Sequence, residues 1–400
     1  MLRALILLIF LTFSLAHAEA QKKELAQAKV SLKTGRDLDQ SQKALEKLLK
    51  DSVNRRKAKV WTTLFRVMKK KYEDGNEKLY LKQKTDTAAL FDITKEMFGL
   101  LFAYDSIDAF PNRKGQVRPA YRKRHAEELC GFRANLYNGG TFFVRKANFA
   151  HAYDFFDTYL DCASQPLFEG YDFRSGKSGR QLAEAAYWAT YCGYKTRNVP
   201  KTLKYALLAQ TDTSKLPYTL QYIAEAYSQQ GDSADYLQTL ERGFTAYPLH
   251  HYFFPRLIDG LTAQNKLEAA VDVTNRALAC DSTNLLFLYA KATLLLNLGR
   301  NEECIALSDR MTALNDTLDT PYFNKGTALL NQATELERRD DGRKMKAALR
   351  RIYEQARPCF ERYRKLAPDQ KEKWGIPLYR IYFKLNMGKQ FEEIDSLLKK

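Results

Sequence analysis

The feature that most constrains the fold is a 34-residue sequence register in the C-terminal two-thirds of the chain. Small or aliphatic residues recur at this interval: Ala224, Ile258, Ala292 and Gly326. Seven residues after each of the first three comes a turn-type residue: Gly231, Asn265 and Gly299. A period of 34 is typical of a helix–turn–helix unit that stacks on copies of itself. The sequence therefore predicts an array of helix pairs rather than a sheet.

One unit of this register, from Tyr218 to Pro248, shows why copies are needed. Its first stripe is spaced as one face of a helix: Leu220, Ile223, Ala224 and Tyr227. A second stripe follows and ends before the proline: Leu237, Leu240, Phe244 and Tyr247. Two helices of this length cannot cover both stripes by themselves. Stacking the next unit covers them, so several copies are required for stability.

Residues 131–400 resemble the tetratricopeptide repeat (TPR) family. Its signature reads W-x2-L-G-x2-Y, then A-x3-F, then P. Two segments match it: Leu136-x2-Gly139-Gly140-x2-Phe143 followed by Ala152-x3-Phe156, and Ala356-x3-Phe360 with Pro368. The resemblance implies an all-α fold, a right-handed α-solenoid of stacked antiparallel helix pairs. It also implies that the first helix of each pair lines a concave, peptide-binding groove.

One unit departs from the register. Gly326 precedes Ala356 by 30 residues, whereas the equivalent spacing in neighbouring units is 12. We expect both helices of this unit to run longer, giving an extended helical hairpin near 327–356 with a turn at Asp341-Gly342. A plain protruding hairpin and a dedicated partner-docking arm both fit the pattern.

The first residues read as an export signal. Arg3 precedes an apolar run from Ala4 to Leu15, which is too short to span a membrane comfortably. Ala16-His17-Ala18 is a small-x-small cleavage site. We expect residues 1–18 to be a signal peptide cleaved after Ala18, leaving a periplasmic or extracellular protein without a transmembrane span. A retained signal anchor is the alternative.

Residues 19–130 form an N-terminal helical region. Its apolar residues are spaced as in amphipathic helices, and these helices could be degenerate repeats of the same type. No clear 34-residue period is present in this region. The stretch Lys-Val-Trp-Thr-Thr-Leu-Phe-Arg at 59–66 resembles the leading segment of secreted TPR proteins of Bacteroidetes. That resemblance implies a periplasmic or surface-facing protein and no particular activity.

The chain is basic, with a formal net charge of +17. Its clusters define a candidate basic surface: Arg55, Arg56, Lys57, Lys69, Lys70, Lys71, Arg122, Lys123, Arg124, Arg343, Lys344, Arg350 and Arg351. Such a field attracts polyanions, and in an exported protein these are anionic envelope polymers rather than nucleic acid. The alternative is that these basic clusters are ordinary solvent-exposed helix faces whose charge serves solubility.

No motif for catalysis, cofactor binding or metal binding occurs in the sequence. The chain lacks H-E-x-x-H, G-x-S-x-G and Walker patterns. His250 and His251 are adjacent and point apart on a helix, so we expect an exposed pair, and we expect His151 to face outward. The six cysteines lie in or beside helical stripes, which favours free, buried thiols, although export also permits disulfides. We therefore predict a non-enzymatic protein; a composite active site is the alternative.

The predicted function is protein–protein interaction through an aromatic concave groove. The repeat register identifies the positions of each first helix that are not used in helix–helix packing and would line the groove. They are Tyr137, Thr141, Tyr218, Gln221, Glu225, Tyr252, Asp259, Leu286, Tyr289, Thr293, Phe323 and Thr327. Tyrosine is a common hot-spot residue at interfaces. The alternative is that these side chains pack against a neighbouring helix.

Overall fold

The computed structural model describes residues 21–112, 114–338 and 342–399, and within these ranges it contains helices and no strand. The predicted signal peptide and the predicted turn at Asp341 lie outside the described residues. The chain forms two compact units, one ending at Asp232 and the other beginning at Ser233. Within the described ranges, no helix combines the length and the apolar character needed to cross a bilayer.

Unit 1 holds twelve described helices and a short 3-10 helix at Pro166–Phe168. They are α1 (21–34), α2 (Leu38–Leu49), α3 (Ser52–Arg55), α4 (Ala58–Tyr80), α5 (Thr87–Asp108), α6 (Arg122–Cys130), α7 (Arg133–Arg145), α8 (Phe149–Asp161), α9 (Gly176–Lys195), α10 (Val199–Lys204), α11 (Ala206–Ala209) and α12 (Leu216–Gln230). From α7 onward, α7 packs on α8, α8 on α9, and α9 on both α10 and α12.

Unit 2 holds nine described helices, each packed on the next along the chain. They are α13 (Ser233–Ala246), α14 (Phe253–Ala263), α15 (Leu267–Cys280), α16 (Leu285–Asn297), α17 (Asn301–Leu314), α18 (Thr320–Glu337), α19 (Gly342–Leu366), α20 (Lys371–Lys384) and α21 (Gly388–Leu398). In addition α16 packs on α18, and α18 on α20, so that these three helices stack in order. The predicted all-α, TPR-like fold of stacked helix pairs is confirmed.

The crossing of a helix pair is built from a glycine and a phenylalanine. A Cβ atom on Gly140 of α7 would lie 2.6 Å from the ring of Phe156 in α8, which is a clash. The same contact recurs in unit 2, where a Cβ on Gly326 of α18 would lie 2.6 Å from the ring of Phe360 in α19. Glycine therefore lets the ring lie on the helix backbone, as the signature motifs predict.

The turn-type residues of the 34-residue register lie where the first helix of each pair ends. Gly231 and Gly299 have a φ of 73° and Asn265 a φ of 56°, the left-handed conformation that ends α-helices. In the turn after α20, Asn386 takes this conformation with a φ of 60°, and Gly388 begins the next helix. Asparagine substitutes for glycine here because its short polar side chain tolerates the left-handed region.

The two helices on either side of the predicted hairpin turn are longer than those of the preceding pair. α18 has 18 residues and α19 has 25, whereas α16 and α17 have 13 and 14. A polar network holds α18 and α19 to α20: the guanidinium of Arg380 donates to Glu337 at 2.9 Å, to Thr334 at 3.0 Å and to the Tyr353 hydroxyl at 3.1 Å. Lys384 adds a 2.8 Å ion pair to the same Glu337 carboxylate.

Candidate functional site

Each unit has its own candidate sites, which lie on the first helices of its pairs. These helices are α7, α9 and α12 in unit 1, and α14, α16, α18 and α20 in unit 2. In unit 1, Tyr137 is half-buried, with its ring edge-on to Phe156 and Tyr159, each at 5.8 Å. Thr141 is also half-buried, and its hydroxyl donates to the carbonyl of Asn138 in its own helix at 2.9 Å. Both interpretations of Tyr137 therefore hold in part, since its body packs while one edge stays open.

On α12, the three predicted positions form one partly open face. Tyr218 is 47% exposed, and Gln221 and Glu225 are half-buried. These side chains follow one another along the helix at a spacing of three and four residues, so they share one face.

The structure adds side chains of α9 that the sequence reasoning missed. Burial raises the pKa of Tyr137, and the nearby charge of Glu184 raises it further, while Trp188 also lies close enough to affect the hydroxyl. Lys215 closes the group with a 3.2 Å ion pair to Glu184 and lies 5.2 Å from the centre of the Tyr187 ring. We call Tyr137, Glu184, Tyr187, Trp188 and Lys215 the aromatic cluster.

The sequence does contain a signal for this cluster. Counting back 34 residues from Tyr218 and Glu225 gives Glu184 and Tyr191, so the register extends into α9. Pro200 makes that unit irregular, which hides the register in the sequence. Tyr191 and Trp188 are half-buried and lie edge-on to one another at 5.7 Å.

In unit 2 the prediction for Tyr252 is wrong. This side chain is 2% exposed, with its ring edge-on to Phe253 at 5.3 Å and the Arg256 guanidinium 4.0 Å above it. The reason is its position directly before α14, where the chain enters the helix and the ring turns inward. Asp259, farther along α14, is exposed.

The face of α16 is the most open of those predicted in unit 2. Leu286 is 49% exposed and Tyr289 is 42% exposed, one turn apart on the same helix. Thr293 lies half-buried beyond them, and its hydroxyl has no hydrogen-bond partner among the described residues.

On α18, the two predicted positions are half-buried. Phe323 packs against the rings of Tyr363 at 5.2 Å and Phe360 at 6.2 Å, while Thr327 lies one turn on. For Phe323 the packing interpretation is the better description.

Much of the candidate basic surface is neutralised locally. Six of its thirteen residues form ion pairs: Lys69 and Arg124 with Glu128, Lys70 with Asp74, Lys71 with Asp39, Arg122 with Asp105, and Arg350 with Glu354. Others bond to neutral groups, namely Lys57 to the Gln21 amide and Arg55 to the Leu49 carbonyl. Arg56, Lys123 and Arg351 are exposed, and the side chains of Arg343 and Lys344 lie outside the described part.

The histidines and cysteines give no cluster that could hold a metal ion within the described ranges. His250 and His251 stack on each other at 4.8 Å, and burial, followed by the charge of His251, lowers the pKa of His250. The expectation for His151 is wrong, because its ring is half-buried against Phe143 and its Nε2 lies 2.6 Å from the Asp92 carboxylate.

The cysteines follow the expectation in part. All six are free; four are buried (Cys162, Cys192, Cys304 and Cys359), Cys130 is half-buried, and Cys280 is exposed. Burial raises the pKa of the Cys162 and Cys192 thiols to about 12 and of Cys304 and Cys359 to about 11. These four thiols are therefore protonated and unreactive at neutral pH.

No protein-family model and no curated protein matches the sequence. Among solved structures, the C-terminal part of a TPR repeat-containing protein from Cytophaga hutchinsonii is 11% identical, with 64% of this chain and 92% of that chain covered and a TM-score of 0.43. MamA from MSR-1 is 12% identical over 46% of this chain and 98% of its own, with a TM-score of 0.35. Yeast Tom70 is 12% identical over 95% and 91%, with a TM-score of 0.31. Likeness at this level carries no conclusion about function, and the fold assignment rests on the helix packing above.

Proposed function

We propose that this chain is an exported, non-enzymatic scaffold that binds protein segments on the open faces of the first helices within each of its two units. The observation that carries the proposal is the exposed aromatic and aliphatic side chains on those helices: Tyr218 on α12, and Leu286 with Tyr289 on α16. The aromatic cluster supports it, because Tyr137 and Trp188 there combine a packed body with a polar edge.

Such side chains suit peptide recognition for a physical reason. Tyrosine and tryptophan bury a large area at a small cost in side-chain entropy and keep a hydrogen-bonding group at one end. They are fixed here on helices whose opposite faces are fully packed, as Leu220 on α12 and Leu288 on α16 show. A partner therefore meets a preorganised surface, which lowers the entropic cost of binding.

Interaction with envelope proteins tests the proposal. We would compare partners captured by wild type, by Tyr218→Ala with Trp188→Ala, and by Leu286→Ala with Tyr289→Ala. The matched control is Tyr80→Ala with Phe110→Ala, whose rings are 86% and 74% exposed but lie outside the first helices of the pairs. We expect the control to retain every partner and the groove variants to lose at least one. Identical partner lists for all four proteins contradict the proposal.

The export component has its own test. The proposed signal sequence at residues 1–18 makes Glu19 the first residue of the mature chain. Mass spectrometry of the protein purified from its native cells should find an N-terminus at Glu19 and the protein outside the cytoplasm. A chain that retains Met1 or its apolar run contradicts export with cleavage.

The second proposal, binding of anionic envelope polymers, has weaker support. The formal charge of +17 favours it, but the ion pairs of six basic-surface residues reduce the field they present. Lys123→Ala with Arg351→Ala, both exposed positions, should weaken retention on a lipopolysaccharide column, and high salt should abolish retention. Retention that is unaffected by salt contradicts this alternative.

A further inference from the structure

A cavity of about 880 Å³ lies beside the aromatic cluster in unit 1. Its walls come from the first turns of α9 and from the segment that leads from α11 into α12, and Leu182 and Leu208 contribute apolar surface. Two members of the aromatic cluster, Glu184 and Lys215, line the cavity as well. The cavity and the open face of α9 therefore form one continuous surface. Its volume falls in the range that ligand sites occupy, about 300–1,000 Å³.

Four cationic side chains line this cavity: Arg174, Lys177, Arg180 and Lys215. Only Lys215 is compensated, by Glu184 at 3.2 Å and by Asp212 at 3.7 Å. Both carboxylates that line the cavity, those of Glu184 and Asp212, therefore form ion pairs with the same lysine.

The other three cations have no carboxylate partner in the part of the chain that the structure describes. Arg174 donates to the carbonyl of Ala163 at 3.2 Å, and no hydrogen bond or ion pair involves the side chain of Lys177 or Arg180. Asp172, near the rim, is engaged by the backbone N–H groups of Arg174 and Ser175 at 2.9 and 3.1 Å. Like charges that share a cavity repel one another, so an entering anionic group would be stabilised by all three.

The backbone places Arg174 at this cavity. A Cβ on Gly179 would collide with the carbonyl oxygen of Arg174 and lie 2.8 Å from its carbonyl carbon. Glycine at 179 therefore lets the preceding segment fold back over the first turn of α9. This close approach holds Arg174 on the same wall as Lys177 and Arg180.

We propose that this cavity recognises acidic side chains of the protein segment that the open faces bind, so that the partner is an acidic peptide. The inference rests on the proposed function and specifies the partner's chemistry. Charge complementarity favours an acidic partner, because Arg174, Lys177 and Arg180 supply positive charge without a carboxylate partner among the described residues, and guanidinium groups match carboxylates in geometry. A peptide is favoured over a small anion because the cavity continues into the aromatic cluster, where neighbouring residues of the peptide contact Trp188.

The test uses the full chain and two pools of fluorescein-labelled peptides. In one pool glutamate alternates with random residues, and in the other glutamine replaces each glutamate. Fluorescence anisotropy at low salt should show roughly tenfold tighter binding of the glutamate pool, which corresponds to about 1.4 kcal/mol. High salt should remove the difference, because the cations are exposed.

Two double variants identify the residues responsible. Lys177→Ala with Arg180→Ala should bind both pools with the affinity that wild type shows for the glutamine pool. Lys47→Ala with Arg145→Ala removes the same charge from exposed positions outside the cavity and should keep the preference for glutamate. Circular dichroism confirms that each variant is folded, which is expected because all four side chains are exposed.

The outcomes separate this inference from the proposed function. Equal binding of the two pools, or a preference that survives Lys177→Ala with Arg180→Ala, overturns the inference. If Trp188→Ala then weakens binding of both pools, the proposed function stands. If neither pool binds, both proposals fail. Inorganic phosphate that binds the cavity in a protein without preference for the glutamate pool also overturns the inference, in favour of a small-anion site.

Discussion

Glycine residues of this chain differ sharply in what their missing side chain does. Gly140 lies against the Phe156 ring, whereas a methyl group on Gly99, on the exposed side of α5, would meet no atom within 4 Å beyond its chain neighbours and the adjoining backbone of its own helix. Gly140→Ala should lower the free energy of unfolding by about 1–3 kcal/mol, because the ring must move out of a packed crossing. Urea denaturation followed by circular dichroism measures the change.

Gly99→Ala is the matched control for that measurement. Alanine in an exposed helix interior is better than glycine by roughly 0.5–1 kcal/mol, so this variant should be slightly more stable than wild type. Equal effects of the two substitutions would show that the Gly140 crossing is not tightly packed.

Thiol reactivity should separate the six cysteines. Cys280 is exposed, while burial raises the pKa of Cys162 and Cys192 to about 12. Because only the thiolate reacts, iodoacetamide at pH 8 should label Cys280 rapidly and the four buried cysteines only after denaturation. Mass spectrometry of the labelled peptides checks this, and Cys280→Ser should lose the fast phase. Rapid labelling of Cys162 in the native protein contradicts the packing around it.

Single residues also show where sequence reasoning stops. The crossing glycines were predictable, because Gly140 and Phe156 belong to one local motif. The Asp92 partner of His151 was not, since 59 residues separate them and no local pattern pairs them. Tyr252 fits the groove frame in the sequence, but a helix that begins one residue later turns its ring inward.

Among the helices, α18 and α19 depend on α20 through the Glu337 carboxylate. Burial by itself raises the pKa of Glu337, but hydrogen bonds from Lys384 and Tyr353 outweigh it and hold the pKa below its usual range. A carboxyl group with a lowered folded-state pKa contributes stability above its unfolded pKa, about 4.3 for glutamate, and loses it as pH falls through the folded value.

Glu337→Gln should therefore destabilise the protein at pH 7 and have a smaller effect in acid, where wild-type Glu337 is itself protonated. Thermal unfolding at a series of pH values measures this. The control is Glu335→Gln, an exposed residue of α18 outside the network, which should leave the pH profile unchanged. The same pH profile for Glu337→Gln and wild type would contradict the role of this carboxylate.

The helices themselves were largely predictable, because apolar stripes and turn residues recur within each unit. The interactions between units were less so. Arg380 and Glu337 are 43 residues apart, and no local sequence pattern in either segment predicts that they form an ion pair. The aromatic cluster stands between these cases: the register reaches Glu184, but the ion pair with Lys215 that completes the cluster is visible only in the structure.

For the chain as a whole, stacking predicts that disturbances remain local, because each repeat is stabilised chiefly by its neighbours. Leu378 is fully buried in a cluster with Phe360 and Tyr353 of α19. Leu378→Ala should cost about 2–5 kcal/mol in that cluster. Hydrogen exchange should then speed up in α18–α21 and remain unchanged in α7–α9.

A uniform rise in exchange across both ranges would show instead that the chain unfolds as a single cooperative body. Leu378→Met, which nearly conserves volume, serves as the control and should leave exchange close to that of wild type.

The long hairpin has a consequence for how such a chain can change. Phe156 follows Gly140 by 16 positions and Phe360 follows Gly326 by 34, yet the same ring-on-glycine contact forms in both places. Additional residues between the two helices thus leave the contact at the helix crossing unchanged. The segment between the two helices is therefore a suitable position for inserting a reporter or an affinity tag. Helical turns can also be added or removed there while the spacing of the other repeats stays the same.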